Sequence, residues 1–374
     1  MRRLRTRSAP LLTLLVSIVG ACSNSSAPAT TTPAAPGSTV NGGAPTVTSA
    51  PRASRVRLTL DRSGPIISAG DGPAGYPYAY AAAATRDLDG RLVLFTAWFG
   101  PEDGSLEVMI TMSTSPDGRS WEVGTSPAFA LEIGASNPGP IPAAALQLGA
   151  GSWLLYGWSL DTNGGTSASS WRASASSPGG PWLLDSADLL EAGPAGAWDS
   201  SVAVPGSVQR VGDEYAMWYE GEGPGRSIRG DIGLATSADG LTWTKFDDPA
   251  TTDARRATSD PVIPTGICGP ETAMAVEEVQ VERGPNGLVA LFFGTGASET
   301  TGIFGAVSTD GRAWQCGSPT ALLVASDIAD GALLHTMTSV PLGDGRVGLI
   351  IESITGGRAG QHSDLWWATV EVGG

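Results

Sequence analysis

A Ser-x-Asp-Gly-x-x-Trp motif recurs along the chain, and its spacing constrains the fold more than any other feature. It stands as Ser115-Pro116-Asp117-Gly118-Arg119-Ser120-Trp121, as Ser237-Ala238-Asp239-Gly240-Leu241-Thr242-Trp243, and as Ser308-Thr309-Asp310-Gly311-Arg312-Ala313-Trp314. A worn copy, Ser176-Ser177-Pro178-Gly179-Gly180-Pro181-Trp182, lies between the first two. The tryptophans fall at 121, 182, 243 and 314, in steps of 61, 61 and 71 residues. A repeat of this length with β-type flanks is one supersecondary unit, and radially repeated sheets are propeller blades.

The chemistry of each copy is that of a tight hairpin. Asp-Gly tolerates the positive φ that such a turn demands. The Ser hydroxyl and Asp carboxylate can bond backbone N–H groups inside the turn, so these aspartates are expected to fold the turn and do no chemistry. Upstream of each turn comes a second signature, a turn followed by an apolar, aromatic-rich strand: Leu92 to Trp98, Trp153 to Trp158, Tyr215 to Tyr219, Leu288 to Phe293 and Val347 to Ile351. That gives five copies. The fifth ends in Leu365-Trp366-Trp367-Ala368-Thr369-Val370, one strand short of a blade, and a spare strand stands at the other end, Val56-Arg57-Leu58-Thr59-Leu60. Pairing the two would remove an open sheet edge. The pattern predicts an all-β chain, a five-bladed β-propeller over residues 55–374 closed by its N- and C-terminal strands. Trp98, Trp158 and Trp218, on second strands, are expected in blade cores.

The first 54 residues read as address and tether. Arg2, Arg3, Arg5 and Arg7 precede an apolar run from Leu11 to Val19, and then comes Val19-Gly20-Ala21-Cys22, which resembles a bacterial lipobox. The run is too short to span a bilayer as a stable helix and reads as a signal peptide over residues 1–21. The resemblance implies acylation of Cys22 and a lipid anchor on the extracytoplasmic face of the cell membrane. Residues 22–54, rich in Ser, Thr, Pro, Ala and Gly, are expected to form a disordered tether with a reach on the order of 30 Å.

The formal charge is −15. No Lys/Arg run is present to track phosphates, which argues against nucleic acid as a partner. With Cys22 assigned to the anchor, Cys268 and Cys316 remain in an oxidising setting and are expected to form a disulfide. The only histidines, His335 and His362, sit in no ligand spacing with a cysteine, so no metal or other cofactor is expected. A monomer is expected.

The third repeat, Tyr215-Ala216-Met217-Trp218-Tyr219-Glu220-Gly221 followed by Ile232-Gly233-Leu234-Ala235-Thr236-Ser237-Ala238-Asp239-Gly240-Leu241-Thr242-Trp243, resembles the five-bladed propellers of glycoside hydrolase families 43 and 32, the arabinanase-like and fructanase-like enzymes. The resemblance is close over about 50 residues and implies a carbohydrate ligand at the propeller axis. The hairpin is also similar to the Asp-box of sialidases, but here Asp and Gly are adjacent, and a sialidase-like protein is the lesser reading. The family's acids lie on the inner strands of its first three blades. Here Tyr76 to Ala82 and Asn137 to Pro142 hold none, and Asp199 stands where the family has its Glu. Later acids are Glu277, Glu278 and Asp330, the last followed by His335. Glycoside hydrolysis needs a pair of carboxylates facing one cavity, so Asp199, Glu278 and Glu277 are the candidate catalytic residues. Tyr78, Tyr80, Trp198, Asp330 and His335 are the candidate sugar-binding ones. Two functions remain open: a surface-anchored, carbohydrate-recognising, glycosidase-like propeller that hydrolyses glycans is one, and a non-catalytic glycan-binding or envelope scaffold propeller is the other.

Overall fold

The computed structural model describes residues 56–100, 107–128, 140–160, 168–224, 230–296, 301–343, 345–355 and 362–373. The signal peptide, Cys22 and the tether lie outside them. Five antiparallel sheets follow one another along the chain. After β1 (Val56–Leu60), the first blade is β2 (Tyr78–Arg86), β3 (Leu92–Gly100) and β4 (Glu107–Ser115). The second is β5 (Pro140–Gly149), β6 (Ser152–Leu160), β7 (Ala168–Ala175) and β8 (Leu183–Ser186). In the third, β9 (Val202–Val211), β10 (Glu214–Glu222) and β11 (Asp231–Ser237) are edged by β12 (Thr244–Lys245) and β13 (Pro261–Ile263), both paired with β11. The fourth repeats this plan with β14 (Ala275–Gly284), β15 (Gly287–Thr295), β16 (Thr301–Ser308), β17 (Gln315–Cys316) and β18 (Leu323–Val324). The fifth is β19 (Leu333–Gly343), β20 (Arg346–Thr355) and β21 (His362–Val372), and its outer strand is β1, antiparallel to β21 from Val56↔Val372 to Leu60↔Ala368. The chain is a five-bladed β-propeller closed by its own two ends.

Each blade buries both faces against its neighbours, and five apolar clusters mark the five contacts. Phe95 and Trp171 share the cluster between blades 1 and 2, Tyr156 and Met217 that between 2 and 3, and Trp218 and Phe292 that between 3 and 4. Val289 and Leu349 belong to the contact between 4 and 5, Leu94 and Ile350 to that between 5 and 1. Strands buried on both faces read as near-continuous apolar runs, which is why Leu92 to Trp98 carries no alternation. Trp98, Trp158 and Trp218 lie in these cores, at 0%, 7% and 1% exposure.

The repeated turn also clasps neighbouring blades. Within it, the Gly240 N–H donates to Ser237 Oγ (2.8 Å), and the Leu241 and Thr242 N–H groups donate to Asp239 Oδ1 (both 2.8 Å). The copies at 115–121 and 308–314 repeat these bonds. Accepting backbone N–H bonds, first from Thr242, holds the Asp239 carboxyl down at about 2. The glycine is needed twice. Gly118, Gly240 and Gly311 have φ of +82°, +70° and +77°. A Cβ on each would press on an aromatic ring of the preceding blade: Trp367, Tyr156 and Trp218 respectively. The expected fourth strand of blade 1 shrinks to one bridge, Thr114↔Glu122. Gly124 there packs so closely on the Met112 carbonyl that a Cβ would not fit.

Cys268 and Cys316 form the expected disulfide, with Cα atoms 5.2 Å apart. It ties the connection leading into blade 4 to that blade's outer edge.

Candidate functional site

All five inner strands, β2, β5, β9, β14 and β19, carry a β-bulge: near Ala82, Ala143, Gly206, Glu278 and His335 respectively. A bulge inserts one residue and re-aims a side chain. In blades 1 to 3 the bulged residue is Ala or Gly. In blades 4 and 5 it is chemically equipped, and the polar centre of the molecule lies there.

Glu278 is the only non-glycine residue with positive φ among the described residues, at +53°. A left-handed conformation costs a residue with a Cβ about 1–2 kcal/mol, so the surroundings must hold it. They do so through its backbone, whose N–H donates to Glu220 Oε1 on β10 (2.9 Å). Its own Oε1 accepts the Tyr80 hydroxyl of β2 (3.2 Å). Blades 1 and 4 are not neighbours, so this bond crosses the propeller axis. The His335 ring meets Tyr80 edge-on, centroids 5.5 Å apart at 84°. Its Nδ1 lies 3.0 Å from Glu352 Oε2 on β20, and that oxygen also accepts the Thr336 hydroxyl (2.8 Å). Glu220 and Glu352 are almost sealed, at 3% and 1% exposure, whereas Glu278 and His335 are half-buried. The arrangement thus has two layers. Glu220 and Glu352 orient from within, and Glu278, His335 and Tyr80 present a carboxylate, an imidazole and a phenol around the axis.

Sequence reasoning named three members of this group: Glu278, Tyr80 and His335. Tyr78 is half-buried on the same strand, packed against the core between blades 1 and 2, and Glu277 pairs opposite Phe293 just before the bulge. Asp330 is exposed in the turn before β19, and its side chain makes no hydrogen bond among the described residues. Glu220 and Glu352 were missed because they sit on second strands. Their signal was an acid ending an otherwise apolar run, Met217-Trp218-Tyr219-Glu220 and Leu349-Ile350-Ile351-Glu352, since a buried charge needs a reason.

Asp199 and Trp198 are both buried against blade 3. Asp199 is fully enclosed, and its Oδ2 accepts bonds from Lys245 Nζ (2.6 Å), the Tyr219 hydroxyl (3.1 Å) and the Ser259 hydroxyl (3.2 Å). Burial, with the Asp199 charge second, pushes the Tyr219 hydroxyl well above its usual range. Trp198 stacks on Tyr219 at 5.6 Å and donates its Nε1–H to the Ser259 carbonyl (2.8 Å). Every one of these partners belongs to blade 3 or its loops. These partners of Asp199 differ from those of Glu278, which include Tyr80 and Glu220. Asp199 precedes β9 by three residues.

Among the described residues, no three His, Cys, Asp or Glu side chains are grouped so as to hold a metal ion. No protein-family model matches the chain, and no curated protein matches it in sequence. Solved structures do match. A family 117 glycoside hydrolase from Zobellia galactanivorans superposes with a TM-score of 0.59 at 15% identity, over 85% of this chain and 90% of its own. A glycosyl hydrolase from Bacteroides ovatus gives 0.52 at 13%, over 78% and 84%. A thermostable family-43 glycoside hydrolase gives 0.51 at 13%, over 84% and 92%. At these identities the likeness establishes the fold. The chain has a glycosidase-like propeller.

Proposed function

We propose that the chain recognises carbohydrate at the axial cluster and hydrolyses a glycosidic bond there, held at the cell surface by a lipid on Cys22. The observation that carries this reading is the convergence of Glu278 and His335 on Tyr80, from three blades, at the axis of a propeller whose structural relatives are glycoside hydrolases. Hydrolysis needs one group to protonate the leaving oxygen and one to take a proton from the attacking water. Glu352 Oε2 holds the His335 ring through Nδ1 (3.0 Å) and sets it edge-on to Tyr80, which suits His335 to the first task. Glu278, half-buried and held by Tyr80, suits the second. The water oxygen bonds to the anomeric carbon, the bond from that carbon to the leaving oxygen breaks, and the two protons end on the leaving oxygen and Glu278. Met274 and Leu333, exposed at the start of β14 and β19, offer apolar surface to the C–H faces of a sugar.

A second reading, glycan binding without turnover, is favoured by the absence of any Asp or Glu from β2, β5 and β9. A panel of arabino-, xylo- and fructo-oligosaccharides, assayed for cleavage and for binding with wild type, Glu278→Gln and His335→Asn, separates the two. Loss of cleavage by about 10²-fold or more in each variant, with binding retained, supports hydrolysis. Binding by a wild type that cleaves nothing supports the second reading, and neither binding nor cleavage removes both.

A further inference from the structure

The opposite end of the axis holds a cavity that the carbohydrate reading leaves unused. It measures about 210 Å³ and is lined by the middle and C-terminal parts of all five inner strands. Alanines at 84, 143, 144 and 145 leave the space, and apart from Thr85 the polar groups come from blades 3, 4 and 5. Glu282 lies in its wall, 9% exposed; its Oε1 accepts the Ser339 hydroxyl (2.8 Å) and its Oε2 the Gln209 amide (3.2 Å). Gln280 is fixed beside it, accepting from the Ser339 N–H (3.2 Å). At the mouth stand Arg210 and Arg283, both exposed. Arg210 reaches Asp213 only at 4.0 Å, and the Arg283 guanidinium has no hydrogen bond or ion pair among the described residues.

We propose that this mouth is a second ligand site, which binds a small oxyanion between Arg283 and Arg210 over the Glu282 carboxyl. A planar carboxylate or a tetrahedral sulfate- or phosphate-type group carries the shared chemistry. Guanidinium forks match both geometries. The site works only with Glu282 neutral, since an ionised carboxylate would repel the ligand. Burial supplies that condition, pushing the Glu282 carboxyl up to about 7 against the pull of its bonds to Ser339 and Gln209. The other charges lining the cavity are Arg283 on its own strand and Arg210 on β9, with Asp213 beyond; Arg86, at the end of β2, follows the lining residue Thr85. The Arg86 guanidinium is already spent on the Gly90 and Leu342 carbonyls (3.0 and 2.7 Å). The described parts of β5 and β19 bring no charge to the cavity.

Calorimetric titration of the full chain with acetate and with sulfate, whose charges stay constant from about pH 6 to pH 8, tests the proposal. The protonated fraction of Glu282 falls from roughly nine-tenths to one-tenth over that range, so affinity should fall about tenfold. Binding near pH 7 should take up a proton. Arg283→Ala should abolish the heat at every pH, while Glu282→Gln should keep binding and lose its pH dependence. Binding of acetate alone points to a carboxylate as the natural ligand, and of sulfate alone to a tetrahedral oxyanion. No binding of either anion, or binding indifferent to pH and to Arg283→Ala, overturns the proposal.

Discussion

Glu282→Gln is the substitution whose energetic effect follows most directly from the structure. The carboxyl moves from 4.5 to about 7 on folding because burial penalises its charged form. A folded-state value above the unfolded one means that the native protein binds the proton more tightly. The associated stability is complete below about pH 4.5 and is lost as pH rises through about 7. At 1.36 kcal/mol per pH unit the full loss is about 3 kcal/mol, a substantial fraction of the 5–15 kcal/mol typical of a folded domain. Glutamine keeps the shape and cannot ionise, so the variant should match wild type near pH 4 and exceed it by about 3 kcal/mol near pH 8.5. Urea melts of both proteins across this range, with the disulfide kept oxidised, measure the difference. Every other titrating group, including Asp117, Asp239 and Asp310 with their lowered values, cancels in the comparison. A difference that stays flat with pH would refute the burial argument.

Asp199→Asn should destabilise the fold by about 3 kcal/mol, since it leaves Lys245 half-enclosed without its counter-charge. It should leave cleavage by the folded fraction unchanged, and melts beside activity assays check both halves. Replacing Cys268 and Cys316 by serine opens a closure with a sequence separation of 48 residues and should lower stability by about 2–4 kcal/mol, read from denaturation of the oxidised wild type against the variant. Cys22→Ser should move the protein from the membrane fraction to the soluble one, with the melting temperature unchanged; a variant that still sediments with membranes contradicts the anchor.

The fold was legible because its instructions are local. The Ser, Asp and Gly of each repeated turn bond within seven residues, and the Gly is fixed by its φ, so the motif writes its own geometry into the sequence. Counting the copies then gave the blade number, and the surplus Val56–Leu60 gave the closure. The site was legible in part. Glu278, His335 and Tyr80 could be found because they lie near the starts of inner strands. Glu220 and Glu352 act there only because a bulge in each neighbouring inner strand re-aims the chain opposite them, and bulge position is not a property of residue type. The partners of Asp199 were not legible for a related reason. The single lysine of the chain, Lys245, lies 46 residues away and meets it only through the fold of blade 3. The Glu282 cavity left no trace in the sequence, since alanines scattered over two blades make it.

The most direct test of the axial site is a crystal structure of the Glu278→Gln variant with an oligosaccharide that the wild type cleaves or binds. The account predicts a sugar ring at the axis, within hydrogen-bond distance of the Tyr80 hydroxyl and of the residue 278 side chain, with His335 facing the glycosidic oxygen. A sugar bound only on the outer rim of the blades, or only at the Glu282 end of the channel, would contradict it.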